Sequence, residues 1–369
     1  SKSPLFQGRI KGRGPRYCPS IEDKIERFSD KDRHQLFIEP EGWNSNEFYV
    51  NGFSSSLPED IQYKALKRIS GFENARIIKP GYAIEYDYFP PVQLDFTLES
   101  RIIRNLFFAG QVNGTTGYEE AACQGLMAGI NAHLKINEQP PFILKRSEAY
   151  IGVLIDDLIT KGTNEPYRMF TSRAEYRLLL RQDNADSRLT RKGFELGLAS
   201  KERIEALDEK EKLIRDIRSF INSFSLQADE INSYLIEKGT SAINKKTCLY
   251  QLLLRPQVSL VELIGCNSKV SGFFDELKQK DNLKDAIESA EILIKYDGYF
   301  EKEQEMVDKI QRFEDIELKE DFDYSSLLAI SFEWREKLNR VKPRTIGQAS
   351  RISGISPADI SVLLVFLGR

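Results

Sequence analysis

Three stretches of this chain carry residue types at spacings that can do chemistry. In Gly14-Pro15-Arg16-Tyr17-Cys18-Pro19-Ser20 a thiol stands beside a guanidinium, just before a helix that Ser20 is placed to cap, with Asp23 at the capping-box position. A neighbouring cation and a helix N-terminus both favour the thiolate, so Cys18 is a candidate nucleophile; the competing reading is a buried structural thiol. The second stretch, Phe107 to Ala122, runs from an apolar segment (Leu106 to Ala109) through a turn rich in Gly, Asn and Thr into a helical pattern with Ala121, Ala122, Gly125, Ala128, Gly129 and Ala132. Small residues three and four apart let a helix lie close to what is beneath it. Unpaired N–H groups at such a helix start, with the positive end of its dipole, suit an anionic or electron-rich ligand; the competing reading is an ordinary strand-to-helix corner. In the third stretch, Gly162 to Asp186, Arg168, Arg173, Arg177 and Arg181 are interleaved with Tyr167, Phe170 and Tyr176. Arginine forks and aromatic faces suit phosphates and unstacked bases. Arg173, Arg177 and Arg181 recur every four residues, which predicts a shared helix face; the alternatives are a solvated face or internal pairs with Glu165, Glu175 and Asp183.

The elements that must position these residues can be read around them. Ile21, Ile25 and Phe28 predict one apolar face on the helix after Ser20. His34–Ile38 and Phe48–Val50 read as strands, Pro58 opens a helix ending near Gly71, and the alternation at Ile84, Tyr86 and Tyr88 predicts a half-exposed strand. Leu106–Ala109 reads as a short buried strand. Pro140-Pro141 marks a boundary, and beyond it the pattern is helical. Ser147 is placed to cap a helix with Ile151, Leu154, Ile155 and Leu158 on one face, and Ser172 to cap Arg173–Leu180. A long amphipathic helix is predicted over 201–224, with others near 228–238, 247–254, 283–296 and 300–313. Thr345 to Gln348 and Ser356 to Asp359 are capping signals for two final helices. Their spacing resembles a helix-turn-helix, but the last helix is too apolar to read a groove, so a docking module is the better reading.

The 369 residues suggest two or three domains, and 41% hydrophobic with 30% charged residues is globular composition. No apolar run reaches the ~18 residues that span a bilayer, and Ser1 to Arg16 has five basic residues but no apolar run, so neither membrane span nor signal peptide is expected. The four cysteines (Cys18, Cys123, Cys248, Cys266) lack CxxC spacing and there are two histidines, so no metal site and a reducing, cytoplasmic setting are expected. The net charge of −3 does not announce a nucleic-acid binder, but it hides local patches that matter more than the total: 161–192 carries eight Lys/Arg against four Asp/Glu, and 334–369 seven against two.

Gly14-Pro-Arg-Tyr-Cys-Pro-Ser-Ile-Glu-Asp-Lys24, Ala109-Gly-Gln-Val-Asn-Gly-Thr-Thr-Gly-Tyr-Glu-Glu-Ala-Ala122, Tyr167-Arg-Met-Phe-Thr-Ser-Arg-Ala-Glu-Tyr-Arg-Leu-Leu-Leu-Arg181 and Gly347-Gln-Ala-Ser-Arg-Ile-Ser-Gly354 closely resemble, in order, four signatures of the MnmG (GidA) family of tRNA uridine 5-carboxymethylaminomethyl modification enzymes. The resemblance covers essentially the whole chain, which looks like the C-terminal portion of such a protein without the N-terminal GxGxxG unit. It implies a fold of α/β plus all-α class: an incomplete FAD-binding Rossmann-like domain with an inserted α/β subdomain, then a helical C-terminal domain. The implied division is 1–95 for the inserted pyridine-nucleotide-side subdomain, 96–140 for the C-terminal part of the FAD domain, 141–298 for the helical domain and 299–369 for a small C-terminal helical subdomain. Gly110, Gln111, Asn113, Gly114, Thr115, Thr116, Gly117, Tyr118 and Glu119 would face FAD. Gly14, Pro15, Arg16, Tyr17, Cys18, Pro19, Ser20, Ile21, Glu22, Asp23, Lys24, Ile25, Glu26, Arg27 and Phe28 match the segment assigned to NADH. Cys18 would be catalytic, and Arg168, Arg173, Arg177 and Arg181 would meet tRNA. A folate one-carbon donor, the GTPase MnmE, tRNA and a homodimer are the implied co-substrate and partners, and the reaction is attachment of an aminomethyl-type group to C5 of a wobble uridine. Two other readings are a non-catalytic tRNA- and partner-binding module, and the related flavin- and folate-dependent tRNA methyltransferases. The latter differ at Asn113–Gly117 and lack the helical region over 147–369.

Overall fold

The computed structural model describes residues 3–4, 7–9, 20–163, 165–314, 316–319, 322–327 and 329–367. Ser20 opens α1 (Ile21–Arg27) with a full capping box: its hydroxyl accepts from the Asp23 N–H at 3.2 Å, and its own N–H donates to the Asp23 carboxylate at 3.2 Å. Ile25 and Phe28 are exposed, however. The side α1 turns inward is polar: the buried Glu22 accepts from the Ser56 N–H and hydroxyl, and Lys24 donates to the Gly52 carbonyl. Strands β1 (Phe37–Pro40) and β2 (Phe48–Asn51) pair antiparallel, Phe37 opposite Asn51. Helix α2 (Glu59–Leu66) follows, with Pro58 one position earlier than expected, at the N-cap. Gln62 of α2 holds Gly81 by both its N–H and its carbonyl, each at 2.8 Å.

The strand expected at Ile84–Tyr88 is absent: these residues are non-regular and mostly exposed. Likewise Leu106–Ala109 forms only an isolated antiparallel bridge, Phe107 to Glu99. Alternation and apolar runs mark a strand only where a partner strand supplies the ladder, and none does so among the described residues. Helix α3 (Tyr118–Ile136) then forms as expected, but rotated. Its buried residues are Glu120, Gln124, Met127, Ala128, Asn131 and Leu134, while Ala122, Gly125 and Gly129 face outward, and a Cβ on either glycine would meet nothing within 4 Å. The amides decide the rotation, because Gln124 and Asn131 satisfy otherwise unpaired backbone groups beneath the helix.

Helix α4 (Tyr150–Lys161) is N-capped by Ala149, not Ser147, and buries Val153, Leu154, Ile155, Leu158 and Ile159. With Leu94, Phe96, Leu98, Met127, Ala128 and Leu144, Ile155 and Ile159 form the core beneath the glycine turn. Helices α5 (Ala185–Glu195) and α6 (Lys201–Ser223) pack together. A helical unit follows: β3 (Ser225–Leu226), α7 (Ala228–Glu237), β4 (Thr247–Cys248), α8 (Leu249–Leu253), α9 (Leu260–Cys266), α10 (Ser268–Leu277) and α11 (Leu283–Lys295). Its core runs from Leu213, Ile217 and Ile221 of α6 to Ala286, Ala290 and Ile294 of α11. Each aliphatic side chain fully buried there contributes about 1.5–3 kcal/mol. Helix α12 (Asp297–Glu314) leads to a bundle of α13 (Phe332–Val341), α14 (Ile346–Arg351) and α15 (Pro357–Phe366), packed around Trp334, Leu338, Ile346 and Leu363. Both tail caps form: Thr345 accepts from Gln348, and Ser356 makes a full box with Asp359.

Candidate cofactor turn and arginine segment

Gly110–Asn113 is one 3-10 turn, and Gly114 ends it in the left-handed region at φ +78°. A Cβ at Gly114 would fall 2.6 Å from the Thr163 hydroxyl and 2.8 Å from the Tyr88 ring, so only glycine fits. Gln124, wholly buried, fastens this turn to α3. Its Oε1 accepts from the Gly110 N–H (3.1 Å) and the Asn113 amide (2.8 Å), and its amide donates to the Thr115 hydroxyl (2.9 Å) and the Glu120 carbonyl (2.9 Å). Sequence reasoning missed Gln124 because a glutamine in a helix ordinarily reads as solvated. Its spacing, four residues after Glu120 and above a glycine turn, was the available signal.

Glu120 was also missed. It is buried in the first turn of α3, accepts from the Met169 N–H at 2.7 Å and pairs with Arg168 at 3.3 Å. A Cβ at Gly117 would lie 1.7 Å from the second Glu120 oxygen. Asn113 Oδ1, Thr116 Oγ1 and Glu120 Oε2 are buried without a hydrogen-bond partner. Three unpartnered acceptors between the 3-10 turn and the first turn of α3 are costly unless a ligand or water completes them. Burial and the Glu120 and Glu119 carboxylates push the thiol of Cys123, one helical turn into α3, up and away from the thiolate.

Gln111, Thr115, Thr116, Gly117, Tyr118, Glu119 and Arg168 form one wall of an open cleft of about 2360 Å³; Ser20, Asp23, Arg27, Phe28 and the 75–86 loop form another. The turn and the end of the predicted pyridine-nucleotide segment are therefore brought to one cavity. Gly14 to Pro19, Cys18 included, lie outside the described residues. Of the rest of that segment, Glu22 and Lys24 are engaged with residues 52–56, and Ile25, Glu26, Arg27 and Phe28 are exposed.

The arginine segment departs from expectation. Residues 171–173 form a single 3-10 turn, Ala174 is extended, and no helix covers 173–180, so Arg173, Arg177 and Arg181 share no helix face. Packing overrides the four-residue spacing. Tyr167 and Tyr176 are both buried, and the Tyr167 N–H donates to the Gly114 carbonyl at 2.8 Å. Arg173 stacks on Tyr167 at 4.3 Å and donates to the Arg168 carbonyl, and Arg181 forks onto Asp183 and lies over Phe300. Arg177 is exposed.

Beside this segment is an ionic cluster that sequence reasoning did not find. The buried Arg146 donates to Asp156 (2.9 Å), Asp157 (2.8 Å) and Glu175 (2.7 Å). Arg351 of α14 forks onto Asp156 and also meets Glu314, and Tyr167 donates its hydroxyl to Asp157 at 2.9 Å. Burial works against the Asp157 charge, but Arg146 and Lys161 outweigh it and hold the carboxyl below its ordinary range. Burial and Asp157 push the Tyr167 phenol far up, so it remains a proton donor. Two adjacent aspartates inside the apolar Ile151–Leu158 pattern were the legible signal. Among the described residues no group of three or more His, Cys, Asp or Glu is placed to hold a metal, and no helix is long and apolar enough to cross a membrane.

A glycine turn fastened to a helix through buried amides, followed by helical modules, is consistent with part of a Rossmann-like domain and a helical C-terminal domain. The structure is similar to that of Aquifex aeolicus GidA (form II crystal), with a TM-score of 0.77 and 44% identity, covering 100% of this chain and 58% of that one. The profile described as glucose inhibited division protein A matches residues 1–140. Those of the tRNA modifying enzyme MnmG/GidA C-terminal helical domain and helical bundle match 201–304 and 306–369. The chain is 56% identical over 368 residues to the tRNA uridine 5-carboxymethylaminomethyl modification enzyme MnmG of Christiangramia forsetii, and 57% to that of Flavobacterium psychrophilum. It belongs to the MnmG/GidA family. It spans 58% of the length of these curated relatives.

Proposed function

We propose that this chain supplies the flavin-facing wall and the RNA-side helical modules of a cytoplasmic enzyme that, with FAD, NADH and a folate one-carbon donor, modifies C5 of the wobble uridine of tRNA. The names of its relatives support the substrate class. The observation that carries the cofactor reading is the buried, unpartnered Thr116 Oγ1 in the wall of the cleft, with two further unpartnered atoms, Asn113 Oδ1 and Glu120 Oε2, buried behind that wall. An amide, a hydroxyl and a carboxylate fit the polar edge of a flavin, so the residues present fit the group. Gly110 to Glu119 would hold it. When bound, the flavin supplies a two-electron redox centre. The chain's own part is electrostatic: N–H groups near Thr115–Gly117 and the positive end of α3 stabilise negative charge on the group they face.

Cys18 is assigned the covalent role, its thiolate adding to C6 of the uridine or shuttling a proton so that C5 becomes nucleophilic. Arg168, Arg173, Arg177 and Arg181 are assigned to tRNA, with exposed Arg177 the most available of the four. The apolar, basic tail around 345–369 is assigned to contact with the MnmE GTPase or with tRNA, in a homodimeric assembly. The division at 95, 140 and 298 is kept as the working domain plan. Asn113→Ala in the whole protein, read by mass spectrometry of wobble uridine in tRNA from complemented cells, tests the reading. Modified uridine should disappear while tRNA binding persists; normal modification would remove the cofactor role of the turn.

A further inference from the structure

The tail bundle and the glycine turn are far apart in sequence, yet one buried chain of polar contacts runs between them. Arg351, the last residue of α14, sends Nε and Nη2 to the two oxygens of Asp156, each at 2.8 Å. Asp156 accepts from Arg146 Nη1 at 2.9 Å, and the same nitrogen donates to Asp157 at 2.8 Å. Asp157 accepts from the Tyr167 hydroxyl at 2.9 Å, and the Tyr167 backbone N–H closes on the Gly114 carbonyl at 2.8 Å. Two residues on, the Met169 N–H holds Glu120 in the first turn of α3. Arg146, Asp156, Asp157 and Tyr167 are each at most 8% exposed.

The charges in this cluster are closed on themselves. Arg146, Lys161 and Arg351 face Asp156, Asp157, Glu175 and Glu314. Of the three cations lining the small notch beside it, Lys161 and Arg351 are held by carboxylates of this cluster, and Arg173 lies over Tyr167. A closely bonded network with Arg146, Asp156 and Asp157 buried at its centre fixes geometry, because any shift of one of these leaves a buried charge unpaired. An arginine suits the end position: its planar fork fixes both distance and angle to a carboxylate, where a lysine fixes only distance.

We infer that Arg351 is a positioning residue for the glycine turn, acting through Asp156, Arg146, Asp157 and Tyr167, so that the placement of the tail bundle biases the geometry of Gly114–Glu120. The functional meaning of that bias rests on the cofactor reading of the turn; the mechanical coupling does not. Arg344 serves as the internal comparison. It joins the same bundle to Asp95 but makes no contact with the network.

The test is hydrogen–deuterium exchange of the full chain without flavin, following peptides over 110–121 and 346–352 in wild type, Arg351→Gln, Arg351→Lys, Tyr167→Phe, Arg344→Gln and the Arg351→Gln/Tyr167→Phe pair. Arg351→Gln should speed exchange over 110–121 on the order of tenfold, the scale of a lost charge-assisted contact. Arg351→Lys should fall between, and Arg344→Gln should loosen the bundle alone. The double variant should not exceed the larger single effect, since both lie on one path. If Arg351→Gln speeds only 346–352, or Arg344→Gln loosens the turn equally, the inference is overturned. Should Arg351→Gln not fold, Tyr167→Phe and Arg351→Lys carry the same comparison, and an unchanged 110–121 in both overturns it. Flavin titration is a separate readout: absent flavin binding would remove the cofactor reading and leave the exchange result standing.

Discussion

Replacing Gln124 by leucine keeps the volume of the side chain and removes every hydrogen bond that fastens the glycine turn to α3. The Asn113 amide keeps its second acceptor, the Phe108 carbonyl at 3.1 Å. The Gly110 N–H and the Thr115 hydroxyl keep no partner named in the structure, and both belong to buried residues. Each buried group left unsatisfied costs ~1–3 kcal/mol, so the two together predict a loss of about 2–6 kcal/mol. The leucine offsets little of this, because its surroundings are polar. Urea unfolding followed by circular dichroism measures the loss, and exchange over 110–121 locates it. A variant within about 0.5 kcal/mol of wild type, the range of an ordinary surface change, would refute the reasoning that Gln124 holds the turn.

Further expectations follow from the same geometry. Gly117→Ala places a methyl against the Glu120 carboxylate, and should lower stability by about 1–3 kcal/mol by displacing Glu120 from Met169; a melting curve equal to wild type would contradict this. Arg146→Met leaves Asp156 and Asp157 short of a partner and should cost about 3–5 kcal/mol in denaturant unfolding. Asp157 is depressed in the folded chain, so its contribution is complete above its unfolded value of ~3.9 and fades as pH falls through the lower folded value. Stability should accordingly be flat from neutral pH to about 5 and drop below about 4, and Asp157→Asn should lessen the drop. Arg177→Ala should weaken tRNA binding in the whole protein and reduce the slope of affinity against salt by about one, whereas equal slopes would release Arg177 from the RNA surface.

What was legible in the sequence was mostly local. Ser20 with Asp23 and Ser356 with Asp359 specify helix starts through contacts three residues apart, and both form. The long apolar period of α6 needs only one hydrophobic face, and it too forms. Local misses were small, such as Ala149 and not Ser147 at the start of α4, and the larger failures are long-range. Ile84–Tyr88 and Leu106–Ala109 carry strand-like patterns without a partner strand among the described residues. Arg173–Arg181 has helical spacing, but the Tyr167–Gly114 bond and the burial of Tyr176 draw the segment out. Gln124, Asp156 and Asp157 are polar residues that become structural only because Gly110, Arg146 and Arg351, remote in sequence for the most part, arrive beside them. The candidate site was legible as a turn, and its fastening was not.

If Gly110–Glu119 is a wall built to receive a flavin, Thr116→Val tests it most directly. Valine keeps the shape and removes a buried hydroxyl that has no partner in the free chain. FAD titration of the whole protein, with its melting temperature measured with and without the cofactor, gives both signs at once. The account predicts FAD affinity weakened by about tenfold, one hydrogen bond of ~1–1.5 kcal/mol, together with an unchanged or raised melting temperature of the FAD-free protein. Unchanged FAD affinity would contradict it.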